Sequence, residues 1–460
     1  MRDAAIAILV ARWHGWPPWT PLFLHTLAAN PTIDFHVLSD TTLTTGSSSS
    51  SLPPNVIFHH WTLQQLLVRL RETVGEEVAD SISVRGTSPS RFCTSSRDPS
   101  TCYDMSSAKV NDLKPMFGEA FARDLLAPYA WWGWLQEDVL VGNLSACLTP
   151  QVLERHDVVT PTFWPWNSSG VFMLWRNERH INRLWRRSAN ASLVLSSPRY
   201  FVFDEWWGPR DLDHIGRVLG REVERGAIRL LRAPRFRERW ADVALFGDDL
   251  YLQTAPLFAC WNRGALLQNR PDAGGEAYDD MPCLGMRSGV EQRGKATAAV
   301  CVLHFLVLKR AAPIAQLPVP LPEEAERALQ RATQFALTRD GLWLPVDEDA
   351  ADSGGGGGGE KGAEVVDATA AAAARGRSWL LVNGSRVLRL TQSQVRDNLD
   401  ALSGGAMSRA LSKRAAKSER RAQHGKHQTI NDELRAGGAV ADAEGTQRSR
   451  SVGWGWRESH

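Results

Sequence analysis

The chain lacks any run of eighteen or more apolar residues, so it offers no candidate for a transmembrane segment. It lacks a strong charge of either sign: the formal net charge is +2 and the pI is near 8.2. A nucleic-acid-binding body usually carries a clustered basic face, so nucleic acid is not an expected partner. Its six cysteines, Cys93, Cys102, Cys147, Cys260, Cys283 and Cys301, include no C-x-x-C pair, which argues against a zinc knuckle. Tyrosine is scarce, five residues against nineteen tryptophans. Tryptophan offers a broad apolar face and one N–H donor, which suits a core, a sugar ring or a nucleobase.

What is present reads as one α/β body followed by a tail. "AIAILVA" and "IDFHVLSD" are short apolar runs that predict two buried strands. "TPLFLHTLAAN" between them has helical spacing, with Thr20 as the expected N-cap and Pro21 at the first helical position. That is a β–α–β unit, which requires a parallel sheet. "NVIFHHW" predicts a third strand and "TLQQLLVRLRETVG" a helix capped by Thr62. "AWWGWLQEDVLVG", "HDVVTPTF", "SGVFMLWRN" and "VCVLHFLVLKR" hold further strands. The opening "MRDAAIAILVARW" reads as the first strand rather than a signal peptide, because "HGWPPW" follows it instead of a small-residue cleavage site.

Disordered insertions are expected near 41–52 and 77–102, and the body is expected to span residues 1–345. Residues 346–460, with the linker "DSGGGGGGEKG" and a basic run, predict a low-complexity, mostly disordered tail. Within it, 378–390 reads as a short hairpin around an Asn-Gly turn. Cys93 and Cys102 flank a polar loop, and either a disulfide or two free thiols fits them. Asn143, Asn167, Asn190 and Asn383 stand in glycosylation sequons, which also arise by chance. Both a secretory (Golgi) lumen and the cytoplasm are compatible with the chain.

The chemistry-bearing stretch is "QEDVLVGNL". Ligands of parallel α/β sheets bind beyond the carboxyl ends of the strands. Acids at such an end, Glu137 and Asp138, suit a hard divalent ion such as Mn²⁺ or Mg²⁺. Upstream, Lys109, Asp112 and Lys114 lie about one helical turn apart, a spacing that serves a phosphate-and-ribose site or a surface ion-pair helix equally well. Downstream, His304 sits inside an apolar strand before Lys309, as a metal ligand or a core residue. "FDEWWG" places Asp204 and Glu205 beside Trp206 and Trp207, a carboxylate base next to stacking surfaces or an acidic turn over aromatic packing.

In order, "AKVNDLKPMFG", "WWGWLQEDVLVGNL", "SGVFMLWRN" and "FDEWWG" resemble the blocks of an uncharacterised set of glycosyltransferase-like proteins, domain-of-unknown-function family 6625, over about residues 5–310. The first block is the most specific: Lys109, Asp112, Lys114, Pro115 and Gly118 all fall in place. The resemblance implies a GT-A-like (Rossmann-like), mostly parallel mixed sheet flanked by helices. It implies a hexosyltransferase-like enzyme that moves a sugar from a nucleotide-sugar donor to a glycan or glycoconjugate acceptor, with Mn²⁺ or Mg²⁺ on the diphosphate. It assigns Asp138 as metal ligand, with Glu137 and His304 as further candidates. Asp40, Lys109, Asp112, Lys114 and Lys309 are the nucleotide or donor contacts it implies. Asp204 and Glu205 become the catalytic pair, and Trp206 and Trp207 the acceptor platform. The family's D-x-D is altered, because its first acid falls on Gln136. The alternatives are therefore a degenerate, non-catalytic nucleotide- or glycan-binding relative, or a metal-dependent nucleotidyltransferase.

Overall fold

The structure is a computed structural model of the 460-residue chain. It describes residues 6–13, 15–43, 52–75, 78–79, 91–93, 102–104, 109–161, 168–198, 200–205, 212–232, 257–268, 280–281, 286–287, 298–304, 317–318, 321–338, 341–346, 378–383, 386–391 and 394. For 91–93, 102–104, 232, 257–260, 267–268, 280–281, 286–287, 298–300, 303–304 and 338 it describes the backbone course alone. All of these lie in one compact unit, residues 1–403.

The first strands are β1 (Ile6–Ala11), β2 (Ile33–Ser39), β3 (Val56–His60), β4 (Arg91–Cys93) and β5 (Cys102–Asp104). Then come β6 (Trp131–Leu135), β7 (Val139–Val141), β8 (Val158–Thr160), β9 (Phe172–Arg176) and β10 (Leu230–Arg232). β11 (Leu257–Asn262), β12 (Ala265–Gln268), β13 (Asp280–Met281), β14 (Met286–Arg287), β15 (Ala298–Val300) and β16 (Val302–His304) follow. The last are β17 (Gln334–Thr338), β18 (Gly341–Val346), β19 (Ser378–Asn383) and β20 (Arg386–Thr391).

The main sheet has the order β10-β8-β9-β6-β1-β2-β3. Strands β6, β1, β2 and β3 pair in parallel, and β9 runs antiparallel between β6 and β8. The fold is thus mixed α/β with a sheet rich in parallel pairs. β1 is buried along almost its whole length, as a central parallel strand covered on both faces must be. Its residues alternate between two cores: Ala7 and Leu9 join one cluster, Ile6, Ile8 and Val10 the other.

Local capping signals mark some of the helices. Thr62 caps the helix Leu63–Val74 through a reciprocal box with Gln65, and Gly75 closes it at φ 69°. Thr20 is instead the first residue of the helix Thr20–Ala28; its hydroxyl donates to the Pro17 carbonyl at 2.6 Å, and Trp19 stands at the cap. After β9 the chain forms a short helix, Arg179–Asn182, and then a tighter turn at Leu184–Arg187.

A second sheet has the order β15-β12-β11-β17-β18-β19-β20. The hairpin expected at 378–390 forms as β19 and β20, and β19 pairs with β18. Trp379, Leu380 and Val382 are buried, so this sheet runs across the boundary expected after residue 345. Trp19, Leu22 and Leu140 of the first layer share a core with Trp261, Phe335 and Leu342 of the second. Among the described residues no helix is long and apolar enough to cross a membrane.

All described tryptophans except Trp16 and Trp61 are buried, which makes them chiefly core residues. Trp132 and Trp175 stack at 5.9 Å between centroids, and the Trp132 indole N–H donates to Asn182 Oδ1 at 2.8 Å. Gly118 lies against the Trp132 ring and the Asn182 amide, where a Cβ would collide with both. That contact gives the last residue of the first motif block its reason.

A polar chain ties β2 and β3 to the turn before β6. The Tyr129 hydroxyl donates to Asp34 Oδ2 at 2.8 Å and meets His36 Nε2 at 3.0 Å; His36 Nδ1 meets His59 Nε2 at 2.9 Å. Burial, then the neighbouring His59, pushes His36 down to about 4, against the pull of Asp34. His36 is therefore neutral in the fold, while in the unfolded chain it titrates near 6.5. Between those values the unfolded chain binds more protons, so this group's contribution to stability is lost as pH falls from about 6.5 to about 4. The raised carboxyls described below act in the opposite sense, so the difference between two variants isolates the term. The Tm gap between wild type and His36→Gln is expected to narrow as pH is lowered through that window; a constant gap in a melting series refutes it.

Candidate active site

The carboxyl ends of the parallel strands converge on one edge. Arg12 follows β1, and its N–H donates to the Leu38 carbonyl at 2.9 Å. Asp40 follows β2, half-buried, with Thr41 Oγ1 donating to its Oδ1 at 3.0 Å. Gln136, Glu137 and Asp138 follow β6. Because β9 is antiparallel to β6, its beginning lies at the same edge, and the Gln136 N–H donates to the Val171 carbonyl at 2.9 Å.

The acidic turn divides its two side chains. Asp138 is buried and directly precedes β7. β16 pairs antiparallel with β7 so that His304 stands opposite Val139, one residue from Asp138. The strand pairing thus brings the two expected ligands to neighbouring backbone positions; the imidazole lies outside the described atoms. Glu137 turns to Arg12, whose Nη1 donates to Oε1 at 2.5 Å. The Trp19 indole N–H donates to the Glu137 carbonyl at 3.0 Å.

A disulfide between Cys147 and Cys301, with Cα atoms 6.5 Å apart, fastens the start of β16 to the helix that follows β7. The Gly142 N–H also donates to the Cys301 carbonyl at 2.8 Å. Cys93 and Cys102 stand directly opposite in the β4–β5 ladder.

The first motif block forms a buried frame beside this edge. Lys109 Nζ donates to Asp112 Oδ2 at 3.0 Å and to the Val194 carbonyl at 2.6 Å. The two Asp112 oxygens also accept the N–H groups of Phe201 at 2.8 Å and Phe203 at 2.7 Å. Between those two residues Val202 is held at φ 61°, a costly conformation for a β-branched side chain. Burial raises the Asp112 carboxyl to about 6, opposed chiefly by the Lys109 charge, and burial also lowers Lys109. The polar atoms of Lys109 and Asp112 are thus engaged with each other and with backbone groups inside the protein.

Lys114 belongs to the rim itself. Its Nζ donates to the Gly170 carbonyl at 2.6 Å and to Asp204 Oδ2 at 3.2 Å. Burial raises the Asp204 carboxyl, with Lys114 opposing. Glu205 is half-buried and lies against the Cα of Gly170, where a Cβ would strike its carboxylate. Of the expected catalytic pair, Asp204 is fully enclosed and Glu205 keeps access to solvent. Lys309, Trp206 and Trp207 lie outside the described residues.

The donor chemistry tests the fit of a resident cation. Gln136 supplies a neutral amide, and the Glu137 carboxylate already has a guanidinium partner in Arg12. Among the described residues no three His, Cys, Asp or Glu side chains converge as a metal-binding group. The described residues therefore do not make a cation cage by themselves.

A further set of contacts at this edge comes from the tryptophans of "RWHGWPPW" after β1, which are not among the expected site residues. Their indoles bond outward: Trp13 donates to the Trp61 carbonyl at 2.8 Å, Trp16 to that of Thr41 at 2.9 Å, and Trp19 to that of Glu137. The dense tryptophan spacing was the available signal.

Strand order and rim define a mixed α/β protein with a polar edge at the carboxyl ends of a parallel-rich sheet. The family described as "Family of unknown function (DUF6625)" matches residues 101–218. That span contains the first motif block, the acidic turn and Asp204–Glu205. A search among curated proteins finds no match. Among solved structures, the galactosyltransferase LgtC in complex with donor and acceptor sugar analogs is similar at 11% identity and a TM-score of 0.29, over 69% of this chain and 98% of that one. Mouse xyloside xylosyltransferase 1, apo form, is similar at 12% identity and 0.28, over 53% and 91%. The glycosyltransferase GlyE of Streptococcus pneumoniae is similar at 9% identity and 0.25, over 53% and 50%.

Proposed function

We propose that the chain transfers a sugar from a nucleotide-sugar donor to a glycan or glycoconjugate acceptor. The observation that carries this reading is the convergence at one sheet edge of the β1 and β2 exits, the acidic turn after β6 and the Gly170–Lys114–Asp204–Glu205 group. Such an edge is where parallel α/β sheets bind ligands. The acceptor hydroxyl oxygen forms the new bond to the anomeric carbon. The bond from that carbon to the phosphate oxygen breaks, and its electron pair leaves on the nucleoside diphosphate. In a direct displacement the hydroxyl proton goes to a base, and Glu205 is the half-exposed carboxylate of the group. Lys114 and Asp204 fix the strand end against which Glu205 rests. No step is assigned to a metal.

The test is a screen of nucleotide sugars, with Mn²⁺ and with EDTA, reading released nucleoside diphosphate. Glu205→Gln is expected to lower release by roughly 10²-fold or more if it takes the proton. Unchanged release removes it from the chemistry. The altered turn, with Gln136 and the Arg12–Glu137 pair, favours one second reading, a relative that binds but does not transfer. Nucleotide binding without release under every donor decides for it.

A further inference from the structure

We propose that Arg12, gripped by Glu137, is a built-in positive charge that meets the donor diphosphate, so that nucleotide binding at this edge persists without a divalent ion. The inference rests on the nucleotide-sugar reading and deepens it.

Position is the first argument. Arg12 is the residue at which β1 leaves the sheet, and β1 lies between β2 and β6, whose exits carry Asp40 and the acidic turn. Its backbone N–H is fixed to Leu38, so the side chain springs from a rigid point.

Commitment is the second. A guanidinium has five N–H donors in a planar fork. Nε donates to the Gly15 carbonyl at 3.0 Å and Nη1 to Glu137 at 2.5 Å. Gly15 sits at φ 89°, a conformation glycine tolerates, and this turn brings its carbonyl back to Arg12. Among the described residues these bonds leave Nη2 for a ligand, and about a third of the side chain, 31%, is open to solvent. A phosphate suits such a fork, because paired N–H donors match its oxygens.

Preorganisation is the third. Glu137 is held at both ends, its carboxylate by Arg12 and its carbonyl by Trp19. Trp13 and Trp16 pin the same loop to Trp61 and Thr41. A charge fixed in this way loses little freedom when it binds an anion.

Electrostatic bookkeeping is the fourth argument. A turn with two free acids needs an external cation before a diphosphate can approach. Here one acid position is the neutral Gln136, and the Glu137 carboxylate is balanced by Arg12. The turn carries one negative charge fewer than an intact D-x-D, because Gln136 is neutral and the Arg12–Glu137 pair cancels, and a guanidinium is a group suited to phosphate. Glu137 is thus a positioning residue rather than a metal ligand.

Calorimetric titration of the full chain with uridine diphosphate and with guanosine diphosphate, in EDTA and in Mn²⁺, tests this. Wild type is expected to bind one of them in EDTA. Arg12→Ala should weaken that binding about tenfold or more, equivalent to about 1.4 kcal/mol. Arg12→Lys, which keeps the charge and loses the fork, should fall between. Glu137→Gln should weaken it less than Arg12→Ala, and Glu137→Asp should restore most of that loss. Matching Tm values for wild type and Arg12→Lys keep the comparison independent of folding. Binding that needs Mn²⁺ and is indifferent to Arg12 overturns the inference and leaves the nucleotide-sugar reading standing. Binding of neither nucleotide in either buffer overturns that reading itself.

Discussion

Asp112→Ala is expected to destabilise the protein by about 3–5 kcal/mol, the cost of breaking a buried ion pair from one side. Both partners are enclosed: the Lys109 and Asp112 side chains are 1% and 0% exposed. Removing the carboxylate strands the Lys109 charge, which among the described residues keeps a hydrogen bond to the Val194 carbonyl and a contact with the Phe201 ring. It also orphans the N–H groups of Phe201 and Phe203, and each unpaired buried donor costs about 1–3 kcal/mol unless water reaches it. Val202 at φ 61° is stapled in place by those two bonds, so its strain is released when they go. The local signature follows: amide exchange at Phe201 and Phe203 accelerates more than elsewhere, and Glu205 loses its position against Gly170. The double variant Lys109→Met/Asp112→Leu should be less damaging than Asp112→Ala, because it leaves no bare charge. Equilibrium urea unfolding of the three proteins measures this. A double variant no more stable than the single one shows that the lost backbone bonds, not the stranded charge, dominate.

The same residues show where sequence reading stops. Strands β1, β2 and β3 and the capped helix Leu63–Val74 were legible because their causes are local: apolar runs, a threonine cap, a terminal glycine. The acidic turn was legible as a strand end because polar residues interrupt an apolar pattern there. The role of Asp112 was not, because its partners are 89 and 91 residues away, and a charged residue looks the same whether a distant loop covers it or a ligand does. Lys109 and Asp112 therefore read equally well as a ligand site or as a helix surface, and their partners place them inside. The Arg12–Glu137 pair spans 125 residues and falls under the same rule. Strand pairing, in contrast, acts across the sequence: the β7–β16 ladder sets His304 opposite Val139, the residue after Asp138. The tail hairpin was visible from its turn, yet its pairing to β18 was not, since nothing local to residues 378–390 names the edge it will join.

Loss of the Cys147–Cys301 disulfide is expected to have a comparable effect on stability and a direct one on the site. The bridge closes a loop of 154 residues. In the chain-entropy account, constraining a loop of that length in the unfolded chain is worth about 5 kcal/mol, near the top of the range of about 2–5 kcal/mol found when native disulfides are removed. Six cysteines allow fifteen complete pairings, so spacing alone does not single this one out. Its place in the fold explains what it holds. β7 and β16 are three residues each and form a two-stranded ladder apart from the larger sheets. A ladder so short is marginal without support. The disulfide and the Gly142-to-Cys301 bond anchor the end opposite to Asp138 and His304, since Val302 pairs with Val141 and His304 with Val139. Cys147→Ser/Cys301→Ser, or reduction of the native chain, should lower the urea midpoint in proportion and speed amide exchange along 139–141 before the parallel strands respond. The serine double variant should be indifferent to reductant. If reduction leaves both the midpoint and exchange along β7 unchanged, the ladder is held by packing of Leu140 against the second sheet's core, and the disulfide has no part in keeping His304 beside the acidic turn.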